Sequence, residues 1–164
     1  MEWLPSELMT GTLLVGATVV VHMVGLDLLM QLTRLHLERF LSPWFDLDRL
    51  VVPTGIVIGL FAVHGAEIWL YAAGYAALGI LPRFETALYY STVAYSSLGE
   101  GGSMLPRAWR LVGAMEAVNG MLLIGWSTAF LFHVPSHLLE PGEDHALPKG
   151  AISRHARRAR QSDR

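Results

Sequence analysis

Phe84-Glu85-Thr86-Ala87-Leu88-Tyr89-Tyr90-Ser91-Thr92-Val93-Ala94-Tyr95-Ser96-Ser97-Leu98-Gly99-Glu100-Gly101-Gly102 is the stretch on which the fold turns. Its first half is a short amphipathic pattern, long enough for about two to three helical turns. Its second half is two hydroxyl residues, one aliphatic residue, and glycines alternating with a carboxylate. A helix that stops and continues as extended backbone is tolerated at membrane depth only where it is buried in protein or lines a water-filled path. Gly99, Gly101 and Gly102 admit backbone conformations closed to other residues, and let carbonyls turn toward one axis.

Long apolar runs flank this stretch. Three segments, near Met9 to Leu32, Val51 to Leu81 and Arg110 to Val134, are each long enough to cross about 30 Å of hydrocarbon as helices. They hold almost no formal charge, whereas the helices of a soluble bundle carry charges along their outer faces. The predicted fold class is therefore an all-α membrane protein. Three transmembrane helices are expected, with a short re-entrant helix and loop between the second and third. The first run follows Glu2 and Glu7 with no Lys or Arg. It lacks the basic region of a signal peptide and reads as a transmembrane helix. Net charge is −2, with the 12 basic residues split between one loop, the tail, and Arg83, Arg107 and Arg110 near the short helix, so nothing points to nucleic acid. The absence of cysteine excludes disulfides, thiol catalysis and zinc-thiolate sites.

Arg34, Arg39 and Arg49 sit in one loop, and Lys149, Arg154, Arg157, Arg158, Arg160 and Arg164 in the tail. The positive-inside tendency puts both in the cytoplasm, and the amino terminus and the loop after Phe84 outside. The basic tail, with Pro141, Gly142, Pro148 and Gly150, reads as a flexible or partly helical extension lying on anionic lipid.

Few polar residues interrupt the spans. Asp27 is expected at the cytoplasmic headgroups or paired with an arginine such as Arg34. Leu35 to Leu41 reads as an amphipathic continuation that Ser42-Pro43-Trp44 breaks. Gly55 and Gly59 have the spacing of a close-approach face. His64 and Glu67, three apart, share a face. They are either a hydrogen-bonded pair bracing the helix or part of a metal or proton site, and two ligands are too few to argue a metal. Glu116 and Asn119 either touch a water-filled cavity or brace the short helix. Met121, Ile124, Thr128 and Phe132 share one face of the last span, facing a pore, lipid or protein.

The segment after Tyr95 resembles the pore loop of the potassium-channel superfamily, whose filter reads Thr-Thr-Val-Gly-Tyr-Gly-Asp. Ser96 and Ser97 take the two threonines, Leu98 the valine, Gly99 the first glycine, Glu100 the tyrosine, Gly101 the second glycine and Gly102 the aspartate. Tyr89-Tyr90-Ser91 resembles the pore helix. Pro106, Arg110-Leu111-Val112 and Gly120 resemble the start and hinge of the inner helix. The likeness covers roughly residues 56 to 133.

It implies three regions: an N-terminal helix and cytoplasmic linker (1–50), a pore module (51–134) and a basic tail (135–164). It also implies a homotetramer in the cell membrane conducting K+, Na+ or Ca2+, with Ser96, Ser97, Leu98, Gly99, Glu100 and Gly101 as the selectivity filter. Gly120 would be the hinge, Met121, Ile124 and Thr128 would line the pore, and His64, Glu67, Glu116 and Asn119 would be supporting polar groups. No catalytic residue, cofactor or resident metal is expected. Glu100 departs from the family. Pointing to the axis, four copies would form an acidic ring that relaxes potassium selectivity and favours divalents. Turned back, it would pair with Arg83, Arg107 or a pore-helix donor and brace the loop. Two other classes stand against this: a non-conducting, channel-like regulatory subunit, and a small transporter or membrane enzyme using His22, Asp27, His64, Glu67 and Glu116.

Overall fold

The computed structural model describes residues 4–40, 48–99 and 104–139. Within them the chain is all-helical: α1 (Leu4–Phe40), α2 (Asp48–Ala77), α3 (Phe84–Tyr95), a 3-10 turn (Arg107–Trp109) and α4 (Arg110–Leu139). Segments Leu4–His36, Leu50–Ala77 and Arg107–His133 are each long and apolar enough to cross a membrane. The chain is thus a multi-pass membrane protein with three candidate spans. Helix α3 is shorter. Its 12 residues extend about 18 Å, well under the hydrocarbon thickness.

α2 and α4 touch each other and form the centre. α1 packs against both on one side and α3 packs against both on another, while no α1–α3 contact occurs among the described residues. The outer faces are apolar, with Leu13, Val24, Ile58, Phe61, Leu122 and Phe132 all well exposed. The inner stripes are partly polar. Thr18, His22, Glu67, Ser91, Glu116, Asn119 and Ser127 are buried, the arrangement expected where the outside solvent is lipid.

One boundary, the end of α2, differs from the sequence reading. α1 runs unbroken through Phe40 as 37 residues, so Leu35 to Phe40 is continuous with the span; Ser42-Pro43-Trp44 lie outside the described residues. α2 stops at Ala77, short of Leu81. Gly79 takes φ 68°, its amide donates to the Ala76 carbonyl at 3.1 Å, and the Ile80 amide donates to the Tyr75 carbonyl at 3.0 Å. This is a Schellman cap. Of the glycine pair in α2, Gly59 meets the Leu29 side chain of α1 while Gly55 has open space beside it, so only half of that expected face is used.

The same cap closes α3 with a less suitable residue. Ser97 adopts φ 59°; its amide donates to Ala94 at 2.9 Å and the Leu98 amide to Val93 at 3.1 Å. An L-residue there costs roughly 1–2 kcal/mol. Gly120 fixes where α3 ends along α4. A β-carbon on Gly120 would run into the Tyr95 carbonyl and come within 2.9 Å of the Tyr95 ring. Near the start of α4, Gly113 accommodates the Tyr90 hydroxyl and Leu105 in the same way.

Replacing Gly120 by Ala is expected to destabilise the folded chain by about 1–3 kcal/mol through overpacking, read as a lower midpoint of thermal unfolding in detergent. Gly125→Ala, at a position with open space, should not lower it. Ser97→Gly should raise the midpoint, since glycine removes the left-handed penalty.

Candidate functional site

The buried polar residues keep helical register. Thr18 and His22 are one turn apart on α1. His64, Glu67, Tyr71 and Tyr75 follow one face of α2, and Glu116, Asn119 and Ser127 one face of α4. Packing these stripes together produces two connected groups of hydrogen bonds.

The first group centres on the Glu67 carboxylate, which is fully buried. Its Oε1 meets His22 Nδ1 of α1 at 2.8 Å. Its Oε2 accepts a hydrogen bond from the Tyr95 hydroxyl at the end of α3, and His64 Nδ1 lies 3.1 Å away. The Tyr95 hydroxyl is also 2.9 Å from His64 Nδ1. On its other edge, His64 Nε2 meets Ser127 Oγ of α4 at 2.9 Å. All four helices therefore contribute to one cluster. The rings of His64 and Trp126 stand 5.4 Å and 5.5 Å from the His22 ring. His22 Nε2 is buried and has no hydrogen-bond partner.

The second group joins α4 to α1 and α2. The Tyr75 hydroxyl donates to Glu116 Oε2 at 2.7 Å. Asn119 Nδ2 donates to Thr18 Oγ1 at 2.8 Å and to Tyr71 Oη at 3.2 Å. Thr18 in turn donates to its own helix, with carbonyls of Leu14 and Val15 at 3.0 and 2.9 Å. Glu116 Oε1 and Ser91 Oγ are buried without a completed hydrogen bond. Glu116 and Asn119 thus point into the bundle and tie spans together.

The predicted filter is described as far as Gly99. Ser96 and Ser97 occupy the turn that caps α3. The Ser96 hydroxyl donates to the Thr92 carbonyl at 2.7 Å, and the Ser97 hydroxyl to the Ala117 carbonyl of α4 at 3.4 Å. Leu98 is 74% exposed and Gly99 takes φ 87°, a backbone that disfavours any side chain. Glu100 and Gly101 lie outside the described residues, as does Gly102. Arg83, one expected partner of Glu100, pairs with Glu85 at 3.3 Å on the surface.

The proposed pore-lining face of α4 is open in the single chain. Met121 and Ile124 are 59% and 40% exposed, and Thr128 is exposed too. Ile124 and Thr128 join Thr92, Tyr95, Ser96 and His64 around a cavity of about 380 Å³. At Gly120 the observation is a tight contact with Tyr95. Asp27, the remaining sequence candidate, is exposed and accepts a hydrogen bond from Gln31 one turn on, at 2.7 Å; it takes no part in the cluster.

Sequence reasoning paired His64 with Glu67 but missed their link to His22, Tyr95 and Ser127. The available signal was the run of hydrogen-bonding residues on one face of each span. No protein-family model, curated protein or solved structure matches the chain.

Tyr95→Phe removes a donor from a buried carboxylate and is expected to cost about 1–3 kcal/mol. A double-mutant cycle with Glu67→Gln, read by thermal unfolding in detergent, should show the two losses to be non-additive. Tyr89→Phe, at an exposed site on the same helix, should change nothing.

Proposed function

We propose that the chain is one subunit of a tetrameric cation-conducting pore similar to potassium channels, with selectivity relaxed toward divalent ions by Glu100. One observation carries the reading: α3 is a half-length helix that stops against the middle of α4, at Gly120, while the chain re-emerges at Leu105 beside Gly113 near the α4 start. A descent to mid-depth and a return within one loop supports a re-entrant segment, with Ser96 to Gly101 at its turning point. Such a backbone needs protein or water around it. In a single chain, Leu98 has neither a packed shell nor a partner face. Four copies about an axis would enclose it, and closed cyclic symmetry is the usual solution for identical subunits.

In this arrangement the carboxyl end of α3 faces the axis, and its dipole favours a cation there. Carbonyl oxygens of the filter replace water around the ion, and four Glu100 carboxylates at the outer mouth concentrate cations. Met121, Ile124 and Thr128 line an inner cavity that is mostly apolar and closes by dewetting. Tyr95, held by Glu67 and His64, braces the filter from behind. The amino terminus lies outside and the basic tail inside.

The Ser97 cap favours a second reading, a non-conducting, channel-like regulatory subunit. It spends the Ser97 and Leu98 amides and the Ser96 hydroxyl on the α3 cap, and the Ser97 hydroxyl on the Ala117 carbonyl of α4.

Purified protein in liposomes separates the two. The pore reading expects cation flux under potassium, sodium and calcium gradients, a several-fold fall in calcium relative to potassium permeability in Glu100→Gln, and loss of flux in Gly99→Val. Absence of flux from a verified tetramer selects the regulatory subunit, and a preference for chloride overturns the pore.

A further inference from the structure

We propose that His22, His64 and Glu67 form a binding site for one divalent transition-metal ion of the zinc class, closed by the Tyr95 hydroxyl. The inference is independent of ion conduction.

A fully buried carboxyl group in a lipid-facing bundle either takes up a proton or is paired with a cation. Among the described residues the ion-pair partners of Glu67 are His22 and His64, with neither Lys nor Arg. A metal ion is then the cation that two imidazoles and a carboxylate are suited to hold.

Geometry favours an ion. One ligand atom each from His22, His64 and Glu67 lie within 4.8 Å of one another. His22 Nδ1 lies 2.8 Å from Glu67 Oε1, and His64 Nδ1 lies 3.1 Å from the other carboxylate oxygen, Oε2, and 2.9 Å from the Tyr95 hydroxyl. A tetrahedral zinc ion with bonds of about 2.0–2.1 Å sets its ligands about 3.3 Å apart, so the hydrogen-bonded pairs would open and the widest pair, within 4.8 Å, would draw in around the ion. Two imidazoles and one carboxylate suit zinc or cobalt, whereas calcium and magnesium want oxygen shells. Ser127 Oγ on His64 Nε2 supplies the outer hydrogen bond that fixes a ligand ring. His64, Tyr95 and Ser127 all line the 380 Å³ cavity, which gives the ion a way in.

The test uses the full chain, without an affinity tag, purified in detergent after chelator treatment, with Co2+ as the spectroscopic probe and Zn2+ as competitor. One Co2+ per chain with the visible absorption of a four-coordinate centre is expected, displaced by Zn2+. His22→Gln and His64→Gln should each weaken binding about a hundredfold or more, and Glu116→Gln, outside the cluster, should keep it. Wild type that binds no Co2+ overturns the proposal and leaves a purely hydrogen-bonded cluster. So does binding that survives both histidine changes, which locates the ion elsewhere. If the variants do not fold, X-ray absorption of the Co2+-loaded wild type decides: two imidazole ligands support the site, and an all-oxygen shell or a single imidazole overturns it. None of these readouts requires a gradient or flux, so failure here and failure of the pore reading are separate results.

Discussion

The Glu67 carboxylate is the constraint around which the bundle is arranged. A carboxyl group at zero exposure, inside helices whose outer surfaces suit hydrocarbon, is stable only when its oxygens are hydrogen-bonded. Its two oxygens face different helices: Oε1 reaches α1 through His22, and Oε2 reaches α3 through Tyr95. His64 carries the connection to α4 through Ser127. Helix association in lipid has no hydrophobic drive, because lipid tails are as apolar as leucine. Directional polar contacts and close packing must therefore supply it, and the cluster offers the first while Gly25, Gly59 and Gly120 offer the second. The second polar group, Glu116 with Tyr75 and Asn119 with Thr18 and Tyr71, repeats this logic elsewhere in the bundle.

Much of the fold was legible because lipid imposes length and composition. The three spans follow from apolar runs, and α3 from a short amphipathic pattern caught between two of them. The ends were harder. α2 was extended to Leu81 because Leu78, Ile80 and Leu81 are apolar, whereas the boundary is set by Gly79 and its two capping hydrogen bonds. α1 continues through Leu35 to Phe40, and the break expected at Ser42-Pro43-Trp44 lies outside the described residues.

The site was legible only where it is local. His64 and Glu67 sit three apart, so periodicity alone puts them together. His22 is 45 residues from Glu67 and Tyr95 is 28, and no spacing rule links positions on different helices. In the sequence Tyr95 is only the residue before the filter-like segment, and its partner depends on where the short helix stops. Gly120 illustrates the same limit. A glycine inside a membrane helix is consistent with bending or with close approach, and what distinguishes the two is the Tyr95 carbonyl lying against it.

The length of α1 has a mechanical consequence. Its 37 residues make a rod of about 55 Å, against a hydrocarbon layer of about 30 Å. Even with tilt, several turns stand clear of the acyl chains, and the helix has no interior proline at which to flex. Force applied to the emergent turns, by tension in the sheet of lipid or by a neighbouring molecule, travels along a stiff shaft to the imidazole of His22. The chain thus carries a lever whose short arm ends in the buried cluster around Glu67.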